Sequence, residues 1–222
     1  MQIALLGGTG DIGEGLALRF AADTTHEVIV GSREADRARI KAEEYETELV
    51  SRGLDVDVGG AANPAAAAGA DVVVCAVPAY HLADTIDSVA DGLTDTAILV
   101  SPAVGMQRDE AGVHYNPPGQ GSVTALAADA APADVPVVGT FHNLAAGKLA
   151  NLDARLDWDT PVVADDPDAK DIVMRVAGDI EGLRPIDAGP LANAAEAEAL
   201  TPLLINLAAN NRDRHDLGVK FI

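Results

Sequence analysis

With 222 residues the chain has room for one large domain, or a domain and a smaller lobe. It is 48% hydrophobic but only 3% aromatic, so its core must be built mostly from Ala, Val, Leu and Ile. The 35 acidic residues outnumber the 15 basic ones, and the net charge of −20 argues against nucleic acid and anionic membrane as partners.

An apolar run of about 18 residues, as a membrane span requires, is absent, and so is a basic, signal-like N-terminal region. The chain is therefore expected to be cytoplasmic. Asp is commoner than Glu and the only lysines are Lys41, Lys148, Lys170 and Lys220. This bias looks like adaptation to high salt, where a Debye length of about 3 Å at molar concentration suppresses self-repulsion.

The first element is an apolar strand, Ile3-Ala4-Leu5, running into Leu6-Gly7-Gly8-Thr9-Gly10-Asp11-Ile12-Gly13 and then a helical pattern over residues 15–20. Strand, glycine turn and helix start in that order fit a dinucleotide-binding turn. Gly8 allows the bend, Gly10 leaves no side chain between backbone and pyrophosphate, and Gly13 lets helix and strand approach closely. N–H groups at the helix start then face the phosphates.

The second strand, Glu27-Val28-Ile29-Val30, selects the dinucleotide. Enzymes that use NAD usually carry Asp or Glu about 20 residues past the glycines, to accept hydrogen bonds from the ribose. Here the strand ends in Gly31-Ser32-Arg33, and Arg37 follows one helical turn later on the same face. A guanidinium fork and a hydroxyl suit a 2′-phosphate, which a carboxylate would repel, so NADP(H) is expected rather than NAD(H). The plainer alternative, two solvated helix-face charges, sits poorly with the scarcity of basic residues.

Residues 34–51 read as an exposed crossover helix, followed by a strand near 54–58 and an alanine-rich segment at 63–68. A buried strand at 71–77 ends at Pro78, and a helix is expected over 79–93. Cys75 lies in that strand and reads as a small core hydrophobe in a reducing setting, since a single Cys permits no intrachain disulfide. Another strand at 97–100 is broken by Ser101-Pro102. The long loop through Met106, Tyr115, Pro117 and Pro118 has room to shape a pocket. A helix at 122–131 and a strand at 135–140 complete an alternation that implies a Rossmann-like α/β fold, a doubly wound parallel sheet binding its ligand at the carboxyl ends of the strands.

Past residue 140 the pattern changes to helices at 168–181 and 193–210 with short strands near 161–163 and 183–187. This suggests an NADP-binding domain over 1–140 and a smaller C-terminal α/β lobe over 141–222. The acidic run Asp165-Asp166-Pro167-Asp168 is better explained as a helix N-cap than as a calcium site. No His/Cys cluster has metal-ligand spacing. His81 and His142 read as cofactor contacts or hydrogen-bonded structural histidines rather than proton donors, and Phe141 and Trp158 as packing residues.

These residues resemble the archaeal NADPH-dependent reductases of coenzyme F420, the F420H2:NADP oxidoreductases. The resemblance runs through Ala4-Leu5-Leu6-Gly7-Gly8-Thr9-Gly10, Val30-Gly31-Ser32-Arg33, Pro78 with His81, Ser101-Pro102, Ala150-Asn151-Leu152-Asp153 and Asp157-Trp158-Asp159. Its most specific part is the run from Gly182 through Arg184-Pro185-Ile186-Asp187-Ala188-Gly189-Pro190 to Leu191, followed by Leu200-Thr201-Pro202-Leu203 and the ending Leu217-Gly218-Val219-Lys220-Phe221.

The resemblance implies hydride transfer between C4 of the nicotinamide and C5 of the 5-deazaflavin ring, with the cofactors carrying the chemistry and no obligatory general acid, base or metal. By position it implies Thr9, Gly10, Asp11 and Ile12 at the pyrophosphate, and Ser32, Arg33 and Arg37 at the 2′-phosphate. Val77, His81, Val104 and Ala146 would line the nicotinamide, and Leu144, Ala145 and Leu207 the deazaflavin between the lobes. Lys148 and Lys220 read equally as surface charges or as contacts for the coenzyme's acidic tail.

Two positions depart from the family pattern. Ala79 stands where Trp is frequent, and His142-Asn143-Leu144-Ala145-Ala146-Gly147 replaces His-Thr-Ile-Pro-Ala-Ala. The other readings are an NADPH-dependent reductase of a different small acceptor, an imine or a metal chelate, and a non-catalytic NADP-sensing protein. The expected partners are small redox coenzymes and a second copy of the chain, as a homodimer, with neither nucleic acid nor membrane.

Overall fold

The computed structural model describes residues 1–211 and 213–222. Its first half alternates strand and helix: β1 (Gln2–Leu6), α1 (Asp11–Asp23), β2 (Glu27–Ser32), α2 (Ala35–Ser51), β3 (Val58–Ala62), α3 (Asn63–Ala67), β4 (Val72–Cys75), α4 (Leu82–Val89) and β5 (Ile98–Ser101). A hairpin of β6 (Met106–Asp109) and β7 (Gly112–Tyr115) follows, then α5 (Val123–Ala130), β8 (Val137–Gly139), α6 (Ala146–Ala150), β9 (Trp158–Ala164), α7 (Pro167–Gly178), β10 (Leu183–Asp187), α8 (Ala194–Glu198) and α9 (Leu200–Asn210).

Eight strands form one sheet in the order β10-β9-β8-β5-β4-β1-β2-β3, parallel throughout except where β9 runs antiparallel to β8. The Rossmann-like expectation holds, with that one reversal. β1 is the switch point, because the chain winds outward through β2 and β3 on one side and through β4, β5 and β8 on the other. Ligand crevices form at such a point.

The central strands are buried on both faces, with a period of two. Ile3, Leu5, Val28, Val30, Val72, Val74, Ile98 and Val100 join one cluster with Leu16, Phe20, Tyr45 and Leu49 of α1 and α2. Ala4, Leu6, Val73, Cys75 and Leu99 join a second with Ala66, Leu82, Ile86, Val123 and Ala127 of α3, α4 and α5. Small strand residues let helices lie close: a Cβ on Gly60 would stand 2.7 Å from the Ala38 backbone of α2. Phe20 and Phe141 meet edge to face at 6.2 Å.

Several elements correct the sequence reading. The third strand lies at Val58–Ala62 rather than 54–58; Leu54 and Val56 instead pack on the core as partly buried loop residues. The segment 79–93 divides into a 3-10 turn (Ala79–His81), α4 and a second 3-10 turn (Ala90–Gly92). The long loop contains the β6–β7 hairpin, whose first strand is exposed throughout. The helix expected at 193–210 breaks at Ala199 into α8 and α9, because Pro202 has no N–H for the Glu198 carbonyl one turn earlier. Asp166 caps α7 by accepting from the Ala169 N–H at 2.8 Å, as the acidic run implied. Cys75 is buried and free, and burial pushes its thiol up to about 12.

The C-terminal segment lies across the edge of β9 and β10. Asp159, 1% exposed, accepts two bonds from Arg184 at 2.7 and 2.8 Å and one from the Phe221 N–H at 2.5 Å, while its own N–H donates to the Val219 carbonyl at 2.7 Å. The Arg184 guanidinium holds the Asp159 carboxyl below the usual carboxylate range. Lys220 pairs with Asp157, and Lys148 lies 4.7 Å over the Trp158 ring.

Candidate functional site

The glycine turn is built from backbone bonds that tie β1, β2 and α1 together. The Gly8 N–H donates to the Leu5 carbonyl at 2.8 Å, and the Gly7 and Gly8 N–H groups share the Gly31 carbonyl at 3.1 Å each. Gly7 has φ +78°, which disfavours any side chain. A Cβ on Gly13 would stand 2.5 Å from the Gly7 oxygen, so the helix approaches the turn as closely as the spacing suggested. The Tyr45 hydroxyl, from α2, donates to the Gly8 carbonyl at 2.9 Å, and burial raises its pKa. Gly10 begins α1 without a side-chain cap, leaving the first-turn N–H groups at the mouth of the turn.

A cavity of about 480 Å³ opens at this turn. It brings together Thr9, Gly10, Ser32, Arg33, Arg37, Val77 and His81, and adds Asn63, Glu34 and Asp84. Ser32 is buried, and its Oγ accepts from the Glu34 N–H at 3.4 Å. Arg33 and Arg37 are exposed and, among the described residues, take no part in an ion pair. Arg39, on the same helix as Arg37, bonds Asp36 at 2.6 Å. Arg33 and Arg37 thus turn full positive charge toward a cavity in a strongly anionic chain.

The other expected site residues lie elsewhere. Asp11 is exposed and Ile12 packs against the core, so their side chains are not in the cavity lining. Val104 is half-buried beyond β5 and also stands outside it.

Leu144, Ala145 and Ala146 line a second cavity of about 310 Å³, closed by Asn143, by Thr201, Leu204, Ile205 and Ala208 of α9, and by Asp216 and Leu217 of the C-terminal segment. Leu207 is 44% exposed and not part of that lining. This cavity is mostly apolar, with Asn143, Thr201 and Asp216 as polar points. Asn143 Nδ2 donates to the Asp159 carbonyl at 2.7 Å while its Oδ1 lacks a partner; Thr201 Oγ1 donates to the His142 carbonyl at 2.6 Å.

The two histidines part company. His81 lines the glycine-turn cavity, its ring 4.4 Å from that of Tyr80. His142 is 3% exposed and lines neither cavity; burial, opposed by the Ser101 carbonyl, pulls its pKa down to about 4, so the ring is neutral.

His142 Nε2 lies 3.3 Å from Thr124 Oγ1, which donates to Glu198 Oε1 at 2.9 Å. Glu198 is fully buried and also accepts from the Tyr115 hydroxyl at 2.9 Å, the Val123 N–H at 3.0 Å and the Thr124 N–H at 2.9 Å. A carboxylate here complements the N-terminal end of α5. Among the described residues no group of three or more His, Cys, Asp or Glu side chains is placed to hold a metal, and no helix is long and apolar enough to cross a membrane.

The sequence alone does not single out Glu198, Tyr45 or Asn63 as site residues, whereas Asn143 stands out in it as a departure from the family pattern. The first two act through partners 75 and 37 residues away, which no local pattern reveals. Asn63 carries a readable signal, a polar residue directly after the third strand, but the apolar Leu54 and Val56 draw the expected strand four residues upstream of Val58–Ala62.

Glycine turn, switch point and mostly parallel sheet together define a Rossmann-like α/β protein of the dinucleotide-binding class. Residues 2–105 match the family described as NADP oxidoreductase, coenzyme F420-dependent. The F420-dependent NADP reductase of Methanothermobacter thermautotrophicus is 40% identical over 97% of this chain and 92% of its own length. That of Methanocaldococcus jannaschii is 35% identical over 93% and 92%. The crystal structure of a candidate F420-dependent NADP-reductase from Arthrobacter sp. FB24 superposes with a TM-score of 0.80, at 27% identity, covering 100% of this chain and 99% of that one. The chain belongs to the F420-dependent NADP oxidoreductase family.

Proposed function

We propose that this protein transfers a hydride between NADP(H) and coenzyme F420. The observation that carries the reading is the cavity at the glycine turn, where Ser32, Arg33 and Arg37 meet with both guanidinium groups free of ion pairs among the described residues. These donors fit a 2′-phosphate. Relatives bearing the name of that activity, matched over nearly the whole chain, support the same assignment.

Thr9, Gly10, Asp11 and Ile12 would hold the pyrophosphate, the latter two through backbone N–H groups of the first helical turn. Val77, His81, Val104 and Ala146 would face the nicotinamide; Leu144 and Ala145 would face the deazaflavin, with Leu207 on the exposed side of α9. When bound, the two coenzymes supply the hydride donor and acceptor. The chain's own work is to align them and keep water out, which the apolar side chains of the second cavity suit. No side chain is assigned as general acid or base, and the neutral, buried His142 serves the packing of the 141–146 loop.

On this reading residues 1–140 bind NADP and 141–222 complete the crevice. The net charge disfavours nucleic acid, the setting is cytoplasmic, and the exposed apolar residues Met106, Leu203, Leu207 and Phe221 favour a homodimer.

Mixing the protein with NADPH and oxidised F420 should bleach the deazaflavin's visible absorbance. Arg33→Ala should weaken NADPH binding by one to two orders of magnitude and leave NADH nearly unchanged, as loss of a charge-assisted bond of about 1.5–3 kcal/mol implies. Persistent absorbance across salt and pH would overturn the acceptor assignment, and turnover with an imine or metal chelate would replace it. Equal losses for the two nucleotides would overturn the phosphate site.

A further inference from the structure

Of the polar side chains in the glycine-turn cavity that neither the hydride transfer nor the phosphate contacts use, Asn63 is the buried one; Glu34, Asp84 and Ser88 are exposed and Thr85 is half-buried. Asn63 is the first residue of α3, directly after β3. β3 pairs with β2 in the register Ser32↔Ala62, so Asn63 falls beside the position of Arg33. It lines the cavity but is only 5% exposed. Its Oδ1 is buried without a partner, and among the described residues its side chain makes no hydrogen bond. The amide lies against the bare Cα of Gly31, where a Cβ would stand 2.8 Å from Oδ1. The Gly31 carbonyl is the one that holds the Gly7 and Gly8 N–H groups. Asn63 therefore occupies the corner between the glycine turn and the Ser32–Arg33 end of β2.

A buried amide with unmet hydrogen-bonding capacity is costly, and such groups in native proteins call for an explanation. The neighbouring Ser32, Arg33 and Arg37 offer hydrogens and suit phosphate oxygens. A phosphate brings only acceptors, so it leaves an amide oxygen unmet. The group that satisfies Asn63 must bring a hydrogen of its own, and a hydroxyl, being donor and acceptor at once, matches either end of the amide. A ribose phosphorylated at its 2′ position retains one hydroxyl next to that phosphate, the 3′.

We propose that Asn63 is a specificity residue for the nucleotide sugar, its amide hydrogen-bonding the 3′-hydroxyl of the 2′-phosphorylated ribose. This rests on the NADP reading above. It assigns Gly31 a matching role: the missing side chain makes room for the amide between turn and phosphate site.

The test is a binding cycle by calorimetry or nucleotide fluorescence, with NADPH and 3′-deoxy-NADPH against the parent protein and Asn63→Ala. The parent should bind the 3′-deoxy nucleotide about tenfold more weakly than NADPH, equivalent to about 1.4 kcal/mol. Asn63→Ala should bind both with the same reduced affinity. Equal affinity of the parent for the two nucleotides overturns the proposal, and that measurement needs no variant, so a poorly folding Asn63→Ala leaves the test intact. Retention of the tenfold preference by Asn63→Ala overturns it as well. If Arg33→Ala selectively loses NADPH while either of those results is found, the phosphate site stands and the Asn63 assignment alone falls. A parent that binds no NADPH removes both.

Discussion

His142 shows how a residue that looks chemical in sequence can be made structural by its surroundings. Thr124 donates its only hydroxyl hydrogen to Glu198, so toward His142 Nε2 it can act only as an acceptor, and His142 Nδ1 is buried without a hydrogen-bond partner. A second proton would place a charge in a site walled off from water. The folded-state pKa, about 4, lies below the ordinary 6.5, so between those values the unfolded chain binds more protons than the folded one. Stability from this group is therefore complete above about pH 6.5 and is lost as pH falls toward 4, by roughly 3 kcal/mol in all. Urea unfolding at pH 7.5 and 4.5 should show a larger acid loss in the parent than in His142→Gln, which keeps a side-chain donor but cannot titrate. The acid sensitivity of the carboxylates is common to both proteins and cancels in the comparison. Equal losses would mean that the ring accepts its second proton in place.

At the scale of elements, the parts that were legible are those whose signal is local. β1, the glycine turn and β2 announce themselves by apolar runs and by glycines at positions where a Cβ would collide with backbone. The third strand, Val-Gly-Gly-Ala-Ala in composition, has poor strand propensity and exists because α2 lies on it so closely that Gly60 admits no side chain. The β6 strand, Met106–Asp109, is exposed along its whole length and offers no alternation to read. Nothing in Val137–Gly139 encodes that its neighbour β9 will run the opposite way. The candidate site divides along the same line: the phosphate residues sit on the legible elements, whereas Asn143, Thr201 and Leu217 meet only after the C-terminal segment folds back.

The start of the C-terminal half of the site, α6 and the turn after it, is tied to α1 by one buried residue. Arg19, 4% exposed, donates to the carbonyls of Leu149 at 2.9 Å and of Asn151 and Ala154 at 2.7 Å each, closing the C-terminal end of α6. Because α1 starts at the glycine turn and α6 starts at Ala146, this clamp fixes the distance between the two cavities. Arg19→Met keeps much of the volume and removes the donors, orphaning the buried Leu149 carbonyl at about 1–3 kcal/mol and leaving the part-buried Asn151 and Ala154 carbonyls to water at a smaller loss. We expect unfolding to need about 3 kcal/mol less, read as a lower urea midpoint, with faster proteolysis in 145–154. Arg52, whose bonds to Glu48 and Asp153 are solvent-exposed, is the control: Arg52→Ala should leave the midpoint close to that of the parent. A midpoint unmoved by Arg19→Met would mean that water replaces the guanidinium and that α6 is held by packing alone.

The molecule as a whole is governed by charge. At −20 every surface carboxylate feels many like charges, whereas the attractive pairs, such as Arg39–Asp36, Lys41–Glu44 and Arg52–Glu48, are local and exposed. Exposed pairs contribute little and lose little to salt. Long-range repulsion is summed over the whole surface and is screened almost completely once the Debye length falls from about 10 Å at 0.1 M to about 3 Å at 1 M. The two effects of salt are therefore unequal, and their balance favours the folded state. The melting temperature should climb by about 5–10 °C between 0.1 and 2 M KCl, corresponding to a few kcal/mol for a chain of this size. Potassium chloride is the appropriate salt because sulfate would stabilise by exclusion from the surface regardless of charge. Replacing several exposed Asp residues that make no bonds, such as Asp55, Asp95 and Asp129, by Lys should flatten the rise in proportion to the charge removed. A melting temperature that falls with KCl would show that the ion pairs, the buried-end Arg184–Asp159 pair foremost, outweigh the repulsion.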